Sequence, residues 1–286
     1  MPSSFGSRLR GAFTKHSQLC VGVDPHASLL ADWGLADSAA GLAEFSNVVL
    51  DQSNGRVGII KPQVSFFERF GSAGFKVLEN LCETATANGQ LVIMDIKRGD
   101  IGTTMDAYFD AWLAQGAPFI CDAVTMSPYL GFDSLNSFLA RATERGKGVF
   151  VLAATSNPEG AALQQATDAS GQSIAAGIWA SLGKVNSLTA SAGETLGSFG
   201  AVVGATLNLN KFQLNGILVD QPAVATPILA PGFGAQGARL ADAGRLFGAA
   251  APAVVASVSR SVLAAGPHGV GDAIDEATQE LASGLA

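Results

Sequence analysis

The sequence is poor in charge, in cysteine and in histidine. Charged residues make up 14% of the 286 positions, with only three cysteines and three histidines. A net charge of −7 argues against a nucleic-acid partner, because a nucleic-acid-binding surface is normally basic. Cys20, Cys82 and Cys121 are too few and too scattered for a disulfide framework. Each lies in or beside an apolar run, which is typical of a small buried hydrophobe.

Targeting, membrane and metal signals are also missing. The N-terminus has no apolar run suited to a signal peptide, and no stretch approaches the roughly 18 uninterrupted apolar residues of a membrane span. We therefore expect a soluble protein of a reducing, cytoplasmic compartment, with no membrane partner. His16, His26 and His268 show no metal-ligand spacing, and GxGxxG and Walker sequences are absent. These absences predict a site without a metal, a dinucleotide or ATP, and the lack of a nearby histidine disfavours a Ser-His-Asp hydrolase.

Short, β-branched apolar runs are abundant. With 48% hydrophobic residues the chain can bury a large core. Nearly continuous apolar character suits strands that are covered on both faces, as in a parallel sheet. Eight such runs recur, each ending in polar, Gly or Pro residues: 19–24, 57–62, 91–97, 123–127, 149–156, 201–206, 225–232 and 253–259.

Segments with helical spacing lie between these runs. From Met105 to Leu113, apolar residues fall on one helical face, and 67–89 repeats the pattern before an Asn-Gly stop. Alternating strands and helices predict βαβ units with right-handed crossovers. The sequence thus predicts an α/β fold, a TIM (β/α)8 barrel in one domain over 1–286, with an open doubly wound sheet as the alternative. The connection at about 157–199 is longer than one crossover helix requires.

Charge is concentrated at the end of the third run, LVIMDIKRGDIGTT (91–104). Residues two apart in a strand share a face, so Asp95 and Lys97 project together at the mouth where barrel enzymes carry their chemistry. Lys61 ends the second run, and Asp100 follows Lys97 by three residues. In a chain so poor in charge, we predict that these four side chains form an alternating cluster and an active site. A structural salt-bridge network is the alternative.

A glycine-rich segment and an arginine end the seventh and eighth runs. APGFGAQG (230–237) carries three glycines, and SVSRS (257–261) carries Arg260. In TIM barrels the loops after strands seven and eight commonly bind phosphate. Glycines let backbone amides approach an anion, and a guanidinium can bind it through two hydrogen bonds. The pair predicts a phosphate site.

Single polar residues end three further runs. Asp24 ends the first, where its carboxylate could accept hydrogen bonds from sugar hydroxyls or form a cap before Pro25. Ser127 and Ser156 end the fourth and fifth. Each could be a ligand contact or a helix N-cap, and an isolated serine favours the cap.

With these residues in place, the chain resembles the orotidine 5′-phosphate decarboxylase family. The resemblance runs from the first strand to the eighth. The matching motifs are D-x-K-x-x-D-I-x-x-T, P-G-x-G-A-Q-G and Ser-Arg, carried by Asp95, Lys97, Asp100, Ile101, Thr104, 231–237, Ser259 and Arg260, with Lys61 and Asp24 beside them. SPYLG, TSNP and the extended connection are similar to the longer bacterial branch (type 2). Ser259 departs from the glycine common in the family, although a serine amide can still point at phosphate.

The resemblance implies a reaction and an assembly. The reaction is the cofactor-free decarboxylation of orotidine 5′-monophosphate to UMP and CO2 in pyrimidine biosynthesis. Lys97 would stabilise and protonate the C6 carbanion, and Asp95 would lie near the departing carboxylate. Lys61 would hold Asp95, and Asp100 would hold Lys97. The family further implies a homodimer in which Asp100 and Thr104 reach the partner's site.

The resemblance also implies the substrate contacts. Asp24 would bind the ribose hydroxyls and Ser156 the pyrimidine edge, while Gln236 would bridge base and phosphate. The remaining contacts would be Arg260 and the amides of Gly234, Gln236 and Ser259 at the phosphate, with Ile101 as a further substrate contact.

Two alternatives share the barrel. Related sugar-phosphate barrels, such as 3-keto-gulonate 6-phosphate decarboxylase and hexulose-phosphate synthase, share D-x-K-x-x-D but hold a magnesium ion with carboxylates at the mouth. A metal-dependent decarboxylase or lyase of that kind is the first alternative, and a cation, Lys61, after the second run suits a metal-free site better. The second is a non-catalytic phosphate-binding barrel, which would have no use for Lys97 and Asp95 together.

Overall fold

The computed structural model describes residues 2–220 and 222–286, and it contains one closed, all-parallel barrel. The strands pair in sequence order, and the eighth pairs with the first. They are β1 (Leu19–Val23), β2 (Ile59–Pro62), β3 (Leu91–Arg98), β4 (Ala123–Met126), β5 (Gly148–Ala154), β6 (Phe199–Val203), β7 (Ile228–Ala230) and β8 (Val254–Val258). The TIM-barrel prediction is confirmed, and the open-sheet alternative is wrong.

Twelve α-helices lie in the described residues. They are α1 (Phe5–Lys15), α2 (Ala27–Asp32), α3 (Ala39–Ser53), α4 (Val64–Glu68), α5 (Gly71–Ala87), α6 (Gly102–Trp112), α7 (Asn136–Glu144), α8 (Ala161–Gln164), α9 (Ile174–Thr189), α10 (Ala243–Phe247), α11 (Arg260–Leu263) and α12 (Gly266–Leu285). The long connection at 157–199 holds a 3-10 turn, α8 and α9.

The helical patterns in the sequence identify real helices but not all of their breaks. On α6, Met105, Phe109 and Trp112 are buried, as their spacing predicts. The predicted helix over 67–89 is two helices, since the chain turns at Phe70 and Gly71, where Gly71 has a φ of +57°. A left-handed φ interrupts an α-helix, and glycine adopts it without the steric cost that other residues carry.

The crossover from β6 to β7 departs from the strand–helix alternation. Within its described residues it forms two 3-10 turns, Leu209–Phe212 and Asn215–Leu218, in place of an α-helix. The prediction of a helix in every crossover is therefore wrong here. Asparagines compete with helix formation by bonding nearby backbone, as the Asn208 side chain does when it accepts from the Asn210 amide at 3.1 Å.

The lower end of the barrel is closed by apolar side chains. The apolar cluster inside the barrel includes one buried residue from each strand: Cys20, Ile59, Ile93, Ala123, Phe150, Val202, Leu229 and Val255. Below it α1 inserts Phe5, whose ring meets that of Phe150 edge-on at 5.9 Å. A Cβ on Gly148 would overlap the Phe5 ring. Truncating such a buried aromatic costs about 3–5 kcal/mol, so α1 is a structural plug.

Two residues further towards the carboxyl ends, four strands place polar side chains at the cavity. Residues two apart in a strand face the same side, and these positions are Lys61, Asp95, Thr125 and Ser257, whereas β5 places Leu152 there. The apolar cluster thus lies beneath the polar residues.

The cysteines agree with the expectation from composition. Cys20, Cys82 and Cys121 are buried and unpaired. Burial raises the pKa of the Cys20 thiol and of the Cys82 thiol to about 12, so both stay protonated and apolar. Across residues 2–220 and 222–286, no helix combines the length and apolarity that a membrane crossing needs.

Candidate active site

A cavity of about 380 Å³ opens at the carboxyl ends of the strands. Its size falls in the range of about 300–1,000 Å³ that small-molecule sites occupy. The predicted site residues that line it are Asp24, Lys61, Asp95, Lys97, Ser156, Gln236, Ser259 and Arg260. The predicted residues that do not line it are Asp100, Ile101, Thr104 and Gly234.

Asp95 is the centre of the charged side of the cavity. It is 8% exposed and accepts hydrogen bonds on both carboxylate oxygens. Lys61 Nζ lies 3.1 Å from Oδ2, while Lys97 Nζ lies 2.6 Å from Oδ1. The hydroxyl of Thr125 donates to the same Oδ1 at 2.8 Å. One buried carboxylate therefore fixes the positions of two ammonium groups.

The ionisation of this cluster follows from its charges. Burial alone would raise the pKa of Asp95, but the ammonium groups of Lys61 and Lys97 outweigh burial and hold that pKa well below its usual range. Burial likewise disfavours the charged form of Lys61, and the carboxylates of Asp95 and Asp24 outweigh it, so the pKa of Lys61 is raised. Both groups are charged at neutral pH.

Lys97 differs from Lys61 in its access to the cavity. Its side chain is 44% exposed, compared with 9% for Lys61. Its Nζ also lies 3.3 Å from Oε1 of Gln63. Both lysines line the cavity, and Lys97 is the one whose side chain is also open to solvent.

Asp100 lies outside this cluster within the chain. Its Oδ1 accepts from the Ile101 amide at 2.8 Å, and its own amide points at Sδ of Met105, 3.1 Å away. In the described residues it makes no ion pair with Lys97. One chain therefore brings together three of the four predicted charges, and leaves Asp100 with Ile101 and Thr104 on the loop and first turn after β3.

The glycine-rich segment forms a tight loop on the opposite side of the cavity. Gly232, Gly234 and Gly237 all have positive φ, between +70° and +112°. The amide of Gly234 donates to the carbonyl of Ala238 at 2.8 Å, and a Cβ at Gly234 would overlap Ser261. Gly234 thus shapes the loop. The backbone amide of Gln236, by contrast, donates to no acceptor in the described residues.

Ser156 and Gln236 connect the two sides of the mouth. Oγ of Ser156 lies 3.3 Å from Oε1 of Gln236, across the cavity from β5 to the glycine-rich loop. Ser156 is not a helix cap, since the 3-10 turn that follows starts at Pro158 with Asn157 as its N-cap. Ser127 lines a neighbouring cavity instead. Arg260 opens α11 and forms no ion pair within residues 2–220 and 222–286.

Two buried polar atoms on the cavity wall lack partners. Among the described residues, Oδ1 of Asp24 and Oγ of Ser259 make no hydrogen bond. Gly22 lies between them, and a Cβ there would come within 2.9 Å of Cβ of Ser259. Asp24 is not a cap, because His26 fills that position on α2. Buried polar groups are usually hydrogen-bonded in native proteins, and both of these atoms stand at the cavity with hydrogen-bonding capacity that the chain does not use.

The sequence patterns missed three residues that organise the site. Gln63 follows Lys61 by two positions, just after β2, and Thr125 lies on β4, two positions before Ser127. The two-residue alternation could therefore have identified both. Gln164 lies on α8, in the long connection. Its amide group accepts from the Thr155 amide at 2.9 Å and donates to the Thr155 hydroxyl at 2.7 Å, which fixes the end of β5 beside Ser156. Nothing in its local sequence signals that contact.

The structure is that of a TIM-barrel protein with a charged cavity at its mouth. A Lys–Asp–Lys chain lies on one side of this cavity, and a glycine-rich loop with an arginine lies on the other. The chain belongs to the Orotidine 5'-phosphate decarboxylase / HUMPS family, whose model matches residues 17–271.

Individual relatives agree over nearly the full length. The chain is 52% identical to orotidine 5'-phosphate decarboxylase of Streptomyces coelicolor over 264 residues, covering 92% of this chain and 91% of that protein. The Salinispora arenicola protein of the same name is 48% identical with the same coverage. The chain therefore lies in the bacterial branch, among proteins of matching length.

Solved structures show the same barrel. A Streptomyces avermitilis structure assigned to orotidine 5'-phosphate decarboxylase superposes with a TM-score of 0.91 at 48% identity, covering 99% of this chain and 96% of that one. OMP decarboxylase of Leishmania donovani superposes with a TM-score of 0.73 at 28% identity and 99% coverage of both chains.

Proposed function

We propose that this chain decarboxylates orotidine 5′-monophosphate to UMP and CO2 in pyrimidine biosynthesis, with side chains in the role of a cofactor. One observation carries the proposal. The Lys97–Asp95–Lys61 chain stands at one side of a cavity whose other side is a glycine-rich loop with Arg260. A phosphorylated nucleoside with a carboxylate on its base presents an anion at each end, and membership of the family supports this substrate.

The phosphate end is assigned to the loop after β7 and the start of α11. Arg260 provides the cation, and the amides of Gln236 and Ser259 provide neutral donors. Gly234 contributes to the proposed site through its left-handed φ, which shapes the loop. Its amide is not assigned to the phosphate, because it would first have to break its hydrogen bond to the carbonyl of Ala238. Binding energy gained at this remote end can be used to organise the reacting end.

The nucleoside is assigned to the polar atoms between the two ends. Oδ1 of Asp24 is buried without a partner, so a ribose hydroxyl that donates to it would remove an unfavourable desolvation cost. Lys61 stands beside it and can donate to the same sugar. Ser156 and Gln236, 3.3 Å apart, face the pyrimidine edge and connect base recognition to the phosphate loop.

The reaction itself needs a group that stabilises charge at C6. The bond between C6 and the carboxylate breaks, CO2 leaves, and the electron pair stays on C6. The Lys97 ammonium, placed beside C6, stabilises this pair and transfers a proton to it, giving UMP and a neutral amine. Solvent then returns the proton, because Lys97 is 44% exposed.

Asp95 and Lys61 prepare Lys97 for this step. The Asp95 carboxylate holds the Lys97 ammonium at 2.6 Å, and Lys61 secures the other oxygen of the same carboxylate. Charges that are fixed before the reaction cost no reorganisation during it, and such preorganisation is often the largest catalytic contribution. The barrel floor of apolar residues excludes water beneath the cluster and strengthens the effect.

The position of Asp100 supports a homodimer in which Asp100 and Thr104 complete the partner's site. Ile101 is 61% exposed, Tyr129 75% and Leu130 53%. They lie on the loops after β3 and β4, which contact each other where the Ser127 amide donates to the Arg98 carbonyl at 2.8 Å. Exposed apolar side chains grouped on adjacent loops are typical of an interface.

A mixing experiment tests the shared site. Asp100→Ala and Lys97→Ala chains are each expected to be inactive alone. Mixed in equal amounts and allowed to exchange subunits, they should regain about one quarter of the wild-type activity, because half the dimers then carry one intact site. No recovery in mixtures shown to exchange would contradict a site built from two chains.

The decarboxylation is tested by the ultraviolet absorbance of orotidine 5′-monophosphate mixed with the purified protein and excess chelator. The expected result is conversion to the UMP spectrum at a rate that the chelator leaves unchanged. Binding without conversion, followed by turnover of a pentose or hexose phosphate once magnesium is added, would replace this proposal with a metal-dependent sugar-phosphate lyase.

A further inference from the structure

β3 and β4 lose their register beside the charged cluster. Met94 pairs with Val124 and Arg98 with Met126, so β3 uses four residues where β4 uses two. Lys97 lies in this bulge with a φ of +47°. A left-handed conformation costs a residue other than glycine about 1–2 kcal/mol, so the surrounding structure must support it.

A buried hydroxyl on β4 occupies the gap that the bulge leaves. Thr125 is 1% exposed, and its Oγ1 accepts from the Lys97 amide at 3.0 Å. The same Oγ1 donates to Oδ1 of Asp95 at 2.8 Å. The side chain of Thr125 thereby replaces, for Lys97, the backbone acceptor that a regular β3–β4 ladder would supply.

The direction of these two hydrogen bonds is fixed by their partners. The Lys97 amide can only donate, and the ionised Asp95 carboxylate can only accept. The single hydroxyl hydrogen of Thr125 is therefore committed to Asp95, and a lone pair to Lys97. One oxygen atom connects the backbone of the lysine to the carboxylate that holds its ammonium group.

We propose that Thr125 is a positioning residue, which holds Lys97 in its left-handed bulge and sets the direction of the Asp95 carboxylate for the decarboxylation. This inference rests on the function proposed above. Thr125 acts through Lys97 and Asp95 rather than on the base itself. Its effect should therefore appear in the chemical step and leave substrate affinity nearly unchanged.

The test compares Thr125→Val with Thr125→Ser. Valine keeps the branched shape and removes the hydroxyl, while serine keeps the hydroxyl and removes the methyl group. A displacement of about 1 Å at a reacting group can cost about 100-fold in rate, so we expect Thr125→Val to lower kcat by about that factor. KM and inhibition by UMP should change less than about threefold, since Arg260 and Asp24 are untouched.

Thr125→Ser is the rescue variant. It should recover kcat to within about tenfold of the wild type, because it restores both hydrogen bonds. A Thr125→Val variant with unchanged kcat, a loss carried mainly by KM, or a serine variant as slow as the valine variant would each overturn the proposal. Absence of turnover in the wild type would instead refute the proposed function.

Amide hydrogen exchange at Lys97 gives a readout that does not depend on activity. In the wild type the Thr125 hydroxyl protects this amide, and in Thr125→Val the exchange rate at Lys97 should rise about tenfold or more. Amides of the lower barrel, such as that of Ile93, serve as the internal control. If the valine variant is poorly folded, Thr125→Ala offers the same comparison, and unchanged exchange at Lys97 in either variant overturns the proposal.

Discussion

Replacing Lys61 by methionine should separate stability from catalysis at the charged cluster. Methionine keeps most of the aliphatic volume of lysine and removes the ammonium group that lies 3.1 Å from Asp95. Asp95, 8% exposed, then keeps its charge in a buried position with one cation fewer. The variant is therefore expected to lose both folding free energy and turnover.

The magnitude follows from the partners that remain. Breaking a buried ion pair by removing one member typically costs about 3–5 kcal/mol. Lys97 at 2.6 Å and Thr125 at 2.8 Å still bind the carboxylate. Because these two hydrogen bonds remain, we expect a smaller loss, about 2–3 kcal/mol in the free energy of unfolding.

Urea unfolding at neutral pH measures this loss, and the absorbance assay measures turnover. The double variant Lys61→Met/Asp95→Asn also removes the buried negative charge that has lost one of its two cations, so it should recover most of the stability while remaining inactive. Lys76→Met is the matched control. Its ammonium pairs with Glu79 at 3.1 Å, but its side chain is 64% exposed, and such surface pairs contribute about 0–1 kcal/mol. A Lys61→Met protein as stable as the wild type, or a double variant less stable than the single one, would show that Lys61 does not stabilise the fold by neutralising Asp95.

Two further outcomes follow from the same geometry. Arg260→Ala should lower kcat/KM by about 100-fold, because a charge-assisted hydrogen bond contributes about 1.5–3 kcal/mol. Arg239→Ala is the matched control, being an exposed arginine outside the cavity; an equal loss there would contradict the assignment of Arg260 to phosphate. Asp95 and Lys61 should contribute no pH dependence near neutrality. Asp95 has a lowered pKa, so its contribution to stability is complete above the unfolded value of about 3.9 and falls only as pH drops through the folded value. Lys61 has a raised pKa, so its contribution is complete below about 10.4 and falls only as pH rises through the folded value. Between about pH 5 and 9 neither group should therefore cause the unfolding free energy or kcat/KM to change with pH. A change with pH that is present in the wild type and missing in Lys61→Met would contradict this.

The barrel and much of its mouth could be predicted because they depend on periodicity. Eight apolar runs predict eight strands. The two-residue alternation put Asp95 and Lys97 on one face, and Lys61 was placed beside them because it ends the neighbouring run. That inference is local, since each strand has only one inward side. The helix predicted between β6 and β7 does not form, and the reason is local as well: asparagine side chains there compete for the backbone hydrogen bonds that a helix would need.

The remaining features depend on contacts between distant segments. The bulge at Lys97 exists because a hydroxyl from β4 can replace a ladder hydrogen bond, and no property of the residues around Lys97 encodes that. Gln164 reaches Thr155 only because the long connection folds back over β5. The Gly234 amide faces Ala238 within its own loop, which composition cannot reveal. Asp100 lies apart from the cluster because β3 ends before it.

The central claim is that the Lys97 ammonium carries out the chemistry, and its most direct measurement is kcat for Lys97→Ala beside the wild type. Inhibition by UMP shows whether the site is intact, and Lys76→Ala controls for the loss of a lysine. We expect a fall in kcat of at least about 10⁴-fold, equivalent to about 5.5 kcal/mol of barrier, with UMP still bound and the fold retained. Turnover within tenfold of the wild type would contradict it.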